Sequence, residues 1–310
     1  MDANRTTLSP PRRTLPWPRT WRAVALSAAL TLVSVALAAW PVSVVDDLER
    51  EVRLSAAPQR IVSLVPSHTE MVCALGACDR LVGRDTFSNA PLEVSALPDL
   101  GSAFAPDLEA LVALAPDLVL VDEYSGAADA IAPLGLVVYA GTPQRLDEIF
   151  VLIERFGVLL GARSEAALLA GRIEGELSGV SALIADREGP SVFYELDPSP
   201  YSVGPEGFIG TLLTLAGGRN IVPAELGDFP LLDPEFVVAA DPQVIVLADA
   251  PYGVDTAAVA ARPGWGSIAA VRDGRVIELS QDESDLLSRP GPRVGAALQL
   301  LARLFHPGVF

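Results

Sequence analysis

Two sixteen-residue stretches of the chain, "PDLEALVALAPDLVLV" at 106–121 and "LDPEFVVAADPQVIVL" at 232–247, align without a gap. Asp107 matches Asp233, Glu109 matches Glu235 and Pro116 matches Pro242, each pair 126 positions apart. Each copy reads as a short helix with a glutamate at its start, where the helix dipole favours a carboxylate. The proline stops the helix, and the apolar run after it reads as a strand buried on both faces. A helix–strand unit that recurs in this way restricts the chain to two similar α/β halves. Strand-like runs at 60–65, 80–84, 134–140, 190–196 and 274–280 alternate with helical patterns at 66–76, 206–218 and 292–305. Such alternation predicts parallel sheets in Rossmann-like α/β layers. Ser67 or Thr69 is expected to cap the helix that stops at Gly76.

The middle of the chain reads as helix, first 146–161 and then 164–189. In the second of these, Leu169, Ile173, Leu177, Val180 and Ile184 recur at spacings of three and four, which puts them on one stripe. Ser164 to Asp186 would reach about 34 Å at 1.5 Å per residue, long enough to act as a stiff strut. The expected organisation is a leader at 1–38, an N-terminal α/β lobe at 39–163, a connecting helix at 164–187 and a C-terminal α/β lobe at 188–310. Loops 198–204 and 226–233 leave strands toward a cleft between the lobes, where open α/β sheets place ligands. A continuous strut resists bending, so little hinge closure is expected.

The leader has its own signature. Arg5, Arg12, Arg13, Arg19 and Arg22 precede a charge-free, largely apolar run at 23–40 that contains "ALA" at 36–38. That pattern matches a secretory signal with a small-residue cleavage site. The run is near the lower limit for spanning a bilayer, so an uncleaved membrane anchor is the second reading. No cysteine stands at the end of the run to accept a lipid, and "PRRTL" at 11–15 is only a faint twin-arginine pattern. Under either reading, residues from about 39 onward work outside the cytoplasm, in the periplasm or at the cell surface.

Net charge over the whole chain is −17. The leader carries five Arg and one Asp, so the remainder stands at −21. That balance argues against nucleic acid, whose phosphates need a basic face. It suits a partner with basic surfaces, although most of these charges read as a solvated coat. Lysine is absent throughout, which removes a Walker-type phosphate loop, a Schiff base and a lysine general base. Cys73 and Cys78 are the only cysteines. A disulfide is permitted outside the cytoplasm, but the spacing crosses a helix end, and two small buried residues is the favoured reading.

His68 and His306 are the only histidines, so a metal site built from several histidines is not available. No D-x-D-x-D-G calcium loop, G-x-S-x-G elbow or G-x-G-x-x-G turn occurs. No metal or cofactor is called for. Ser67 and His68, where the strand at 60–65 passes into a helix, are read as lining the cleft. The rival of a different class is a hydrolase that uses His68 as its base, and it predicts turnover that His68→Ala abolishes. Phe87, Phe104, Tyr124, Tyr201 and Phe229 all fall in loops. Each alone reads as local packing, but converging on one cleft they suit a large planar ligand. Asp282 and Arg289 could add polar contacts or be ordinary surface charges.

Four stretches carry a family resemblance: "PQRIVSLVPSHTEMVCALGACDRLVG" (58–83), "PDLEALVALAPDLVL" (106–120), "LLTLAGGRNIV" (212–222) and "RPGPRV" (289–294). Over about residues 46–305 the chain resembles the periplasmic binding proteins for vitamin B12, ferric siderophores and haem, and it looks most like the cobalamin-binding receptors of ABC importers. The resemblance implies two α/β lobes joined by one rigid helix. It also implies that Glu109 and Glu235, one on each lobe, project toward arginines of the importer's transmembrane subunits. Phe87, Tyr201 and Phe229 match aromatics that contact cobalamin, and Asp282 matches an acidic contact. Ala103 departs from the pattern, standing where the B12 receptor has tryptophan, as does the stretch 122–124. A haem receptor using His68, Tyr124 or Tyr201 as axial ligand therefore stays open, as does a siderophore receptor using Arg84, Arg219 and Arg289. A membrane-tethered interaction module with no ligand is the remaining reading.

Overall fold

The computed structural model describes residues 40–309; the leader read at 1–38 lies outside them. The chain opens on a hairpin of β1 (Val42–Val45) and β2 (Glu51–Leu54), antiparallel, with Val42, Val44, Val52 and Leu54 turned to the core. Its turn is organised by Asp46, whose carboxylate accepts the Leu48 and Arg50 amides and the Arg50 guanidinium. The sequence reading missed this hairpin, because four-residue strands give too little alternation to stand out beside the charged turn.

The N-terminal lobe continues through β3 (Ile61–Ser63), α1 (Pro66–Ala74), β4 (Leu81–Arg84), β5 (Gly101–Ser102), β6 (Ala105–Pro106), α2 (Leu108–Ala113), β7 (Leu118–Val121), α3 (Ala127–Ile131) and β8 (Val138–Ala140). Its main sheet is wholly parallel in the order β4-β3-β7-β8. Then come α4 (Glu148–Leu159) and α5 (Arg163–Ile184). The C-terminal lobe holds β9 (Ser191–Asp197), β10 (Tyr201–Ser202), α6 (Phe208–Leu215), β11 (Arg219–Asn220), α7 (Pro234–Ala240), β12 (Val244–Leu247), α8 (Thr256–Ala260), α9 (Ala269–Arg272), β13 (Val276–Glu278), α10 (Gln281–Ser288) and α11 (Val294–Phe305). Its sheet runs β10-β9-β12-β13, with β11 also on β9, and only β10 is antiparallel.

The repeated unit occupies the same place in both lobes. β7 lies between β3 and β8, and β12 lies between β9 and β13. All four residues of each are buried, as expected for strands covered on both faces. Asp107 and Asp233 cap their helices, accepting the amides of Ala110 (2.9 Å) and Glu235 (2.8 Å) respectively.

The strut is the 22-residue α5, which packs against α4 of the first lobe and α11 of the second. Leu169, Ile173, Val180 and Ile184 are buried along the anticipated stripe, and Leu177 is partly buried against the same core. Fully burying such a side chain contributes about 1.5–3 kcal/mol, enough for one face to tie the helix to both lobes.

Two local expectations are corrected. Neither Ser67 nor Thr69 caps α1: the N-cap is Val65, with Pro66 at the first helical position, where its missing N–H costs nothing. Thr69 turns inward instead, its Oγ 2.9 Å from Ser63 Oγ and 2.8 Å from Ser88 Oγ. Cys73 and Cys78 form a disulfide and are only partly buried, because the turn after α1, with Gly76 at φ +77°, brings their Cα atoms to 4.0 Å. Asp282 lies in the first turn of α10, behind a capping box of Ser280 and Glu283.

Candidate functional site

Parallel strands deliver their carboxyl-end loops to one edge of the sheet, and Phe87 and Tyr124 follow that rule. Phe87 follows β4, Tyr124 follows β7, and Phe104 forms the turn between β5 and β6. Tyr201 lies on β10, beside the carboxyl end of β9, and bridges to Leu231; Phe229 is in the loop just before. All five rings are between 37 % and 77 % exposed, so none is spent on core packing. Exposed aromatic faces close to the carboxyl ends of strands in both sheets are suited to stacking on a ligand.

The lobes touch through two bridges. In one, the Phe208 amide donates to the Gln144 carbonyl at 3.1 Å, and Arg145 pairs with Asp228 at 3.0 Å. The other is an ion network. Glu70 of α1 accepts Arg289 at 3.0 Å and Arg293 at 2.6 and 2.7 Å. Arg289 also donates to Asp285 (2.6 Å), the Asn89 side-chain oxygen (2.8 Å) and the Phe87 carbonyl (3.0 Å). A cavity of about 190 Å³ joins the two lobes, lined by Thr142, Gln144, Phe208, Asp228, Phe229 and Pro290 among others. Phe229 thus stands over an apolar crevice formed by both lobes. Sequence reasoning missed Glu70, Asn89, Asp285 and Arg293; the two arginines of "RPGPR" were the available signal.

Several predicted ligand contacts are not displayed to a cleft. Arg289 is 9 % exposed and committed to the network. Ser67 is buried with its Oγ unpartnered, packed toward Gly291 of the other lobe. His68 is fully buried, its ring centroid 6.0 Å from that of Tyr139 and 5.1 Å from that of Phe156. Burial lowers its pKa to about 4, against weaker opposing effects of the Gly141 backbone and Asp122. His68 is a neutral core residue, so it can serve neither as a base for an external substrate nor as an axial ligand.

The arginines proposed for an anionic chelate are not brought together either. Arg84 folds onto the Asp85 and Thr86 carbonyls, and Arg219 sits beside the amino end of β9, opposite the aromatic edge. Asp282 is exposed. The Tyr124 hydroxyl is pushed up, first by burial and then by its hydrogen bond to Glu123 and that carboxylate's charge, which favours a neutral phenol.

A second polar cluster lies at the carboxyl edge of the C-terminal sheet. Arg262 grips Glu195 through two bonds of 2.6 and 2.7 Å and lies 4.5 Å over the Trp265 ring. Asp249 is buried beside them with neither carboxylate oxygen partnered. Burial, and then the Glu195 charge, raises its pKa from 3.8 to about 6. The folded state therefore holds this proton more tightly than the unfolded chain. Its contribution to stability declines as pH rises from about 4 through 6 and is level above that. Asp249→Asn is expected to flatten this slope and to raise the melting temperature at pH 7.5 by about 3 °C or more. Parallel melting curves from pH 4.5 to 8 measure it, and identical slopes for the two proteins would contradict the assignment.

Glu109 and Glu235 occupy the second helical position of α2 and α7, and both are exposed. The Asp107 amide is bound to the Leu100 carbonyl, beside the end of β4, and the Leu232 amide to the Pro200 carbonyl, beside the end of β9. Both glutamates thus stand at the carboxyl edge of their own sheets. Among the described residues no side chain pairs with either carboxylate.

Comparison with known proteins agrees with this architecture. A sequence profile of the family described as "Periplasmic binding protein" matches residues 61–283. An uncharacterized ABC transporter substrate-binding lipoprotein, YvrC, of Bacillus subtilis is 33 % identical over 282 residues, 87 % of this chain and 87 % of its own. A cobalamin-binding protein of Halobacterium salinarum is 26 % identical over 279 residues, 86 % of this chain and 74 % of its own. In structure, the periplasmic heme-binding protein RhuT of Roseiflexus sp. RS-1, in its apo form, superposes with a TM-score of 0.71 at 27 % identity, covering 82 % of this chain and 100 % of its own.

Proposed function

The chain belongs to the periplasmic binding protein family, and on that premise we propose that it is an extracytoplasmic substrate-binding protein that delivers cobalamin or a related corrinoid to an ABC importer. The leader at 1–38 fits export, with the mature chain working in the periplasm or on the cell surface. Its task is capture and presentation: the lobes hold a bulky cargo, and the importer's transmembrane subunits receive it.

The observation that carries the corrinoid reading is the pairing of exposed aromatic rings with committed arginines. Phe87, Tyr201 and Phe229 offer faces and edges to a large ring system, while Arg289 is held by Glu70 and Asp285. A carboxylate-rich siderophore or the propionates of haem would ask for a cation the cleft has already used. A corrin ring bordered by amides asks instead for apolar faces and neutral hydrogen-bonding groups. The cobalamin-binding relative supports the same choice.

A haem receptor is the second reading, favoured by the likeness to RhuT and by the exposed hydroxyl-bearing rings of Tyr124 and Tyr201. Calorimetry separates the two. Cobalamin is expected to bind at one site per chain, cobinamide to compete for it, and haemin to give no saturable heat. Saturable haemin binding with a shifted absorption band, and none with cobalamin, would replace the corrinoid reading. Bound cobalamin should also raise the melting temperature in proportion to the logarithm of its concentration above Kd.

A further inference from the structure

Resting on the reading that Glu109 and Glu235 dock the importer, we infer that each glutamate is one half of a composite epitope. The other half is an apolar ledge on the same helix, deepened in the C-terminal lobe into a pocket for a bulky apolar side chain of the importer's transmembrane subunit.

The repeat carries this further than the carboxylates alone. At the common spacing of 126, Val112 matches Val238 and Ala113 matches Ala239. Residues three and four after a helical position lie on its face, so each helix sets Val and Ala directly beside its glutamate. Val112 is 48 % exposed and Ala113 is exposed; Val238 is partly exposed and Ala239 exposed. Val112, Ala113 and Ala239 stand in solvent and Val238 is half-buried against the core, so both halves carry an apolar surface pair beside a glutamate that no described side chain pairs.

In the C-terminal lobe this ledge is one wall of a cavity of about 810 Å³, lined by Pro198, Pro234, Val238, Pro263, Trp265 and Glu235 among others. Its walls are stiff: prolines have little freedom to lose, and Trp265 is 1 % exposed beneath the Arg262 guanidinium. Arg262 is neutralised by Glu195, and Asp233, though it keeps its charge, is held by the Glu235 amide in capping α7, so the carboxylate free to meet a partner at the cavity is that of Glu235. An apolar cavity with one unpaired carboxylate fits a segment that presents an arginine or lysine with a large apolar side chain beside it. A second copy of this chain fits poorly, because two mature molecules, each at −21 without the leader's five Arg and one Asp, would meet acidic face to acidic face. Since the pocket belongs to α7, the C-terminal lobe contributes more of the affinity than its counterpart.

The test uses the full mature chain and its own importer, transmembrane and nucleotide-binding subunits together in nanodiscs, with association followed by interferometry. Val238→Asp is expected to weaken binding about tenfold and Val112→Asp about threefold, with cobalamin affinity unchanged and a fall in melting temperature confined to Val238→Asp, whose site packs partly against the core. Ala239→Trp fills the cavity from an exposed position without altering charge, and it should match Val238→Asp. If Glu109→Ala with Glu235→Ala loses binding while Val238→Asp and Ala239→Trp bind as the parent does, the ledge has no role and the inference fails, although glutamate docking survives. If all variants bind as the parent, the docking reading itself is wrong. A parent that sediments as a dimer, and a monomeric Val238→Asp variant, would assign the face to a second copy and overturn the proposal.

Discussion

Glu70→Ala is expected to lower the unfolding free energy by about 3 kcal/mol, with a fall in melting temperature of roughly 10 °C. Glu70 is 4 % exposed and joins two arginines that arrive from the other lobe. Removing it leaves Arg289, 8 % exposed at its side chain, with Asp285 as its remaining ionic partner. Breaking a buried pair from one side costs about 3–5 kcal/mol, because the surviving charge stays out of water. The retained Asp285 bond places this case at the lower end. Arg293→Ala should cost less than about 1 kcal/mol, since that side chain is 38 % exposed and water can replace its bonds. Glu70→Gln should fall between, keeping an acceptor but not the charge. Urea unfolding of the three variants measures the series, and a Glu70→Ala protein within about 1 kcal/mol of the parent would show that the network adds nothing to the union of the lobes.

That network marks the limit of what the sequence discloses. Glu70 and Arg289 are 219 positions apart, and nothing in either neighbourhood signals the other. The duplicated unit, by contrast, was readable, because its periodicity, first-turn glutamate and terminal proline are all local. The exposed aromatics followed from strand-and-loop order alone. Ser67 and His68 were misplaced for a definable reason. They stand at the first turn of α1, where open α/β sheets commonly meet ligands, but this turn points both side chains into packed surroundings against Tyr139, Phe156 and Gly291. Facing direction at a helix start depends on tertiary packing, which no spacing rule records. The same holds for Arg289, whose type suited a ligand contact while its partners made it part of the joint between lobes.

The joint also bears on how cargo is handed over. A strut and two bridges hold the lobes together, so under the proposed docking role the two glutamates would meet the importer with their charges already in position. Glu109→Ala combined with Glu235→Ala is therefore expected to reduce association with the importer by about a hundredfold, through a slower approach as well as faster release. Each carboxylate stands in the first turn of a capped helix, where the backbone dipole favours negative charge. Among the described residues neither has a side-chain partner to lose, so the double variant should melt close to the parent. Cobalamin affinity should be unchanged, because Phe87, Tyr201 and Phe229 lie on other segments. The parent's association rate should fall steeply with added salt, and the variant's should hardly respond. Uptake by cells carrying the variant should drop with association, while the purified protein still titrates with cobalamin at one site. A double variant that loses cargo binding would move these glutamates from the docking face to the ligand site. One that keeps both importer association and its salt dependence would remove the paired acidic tips from the transport mechanism.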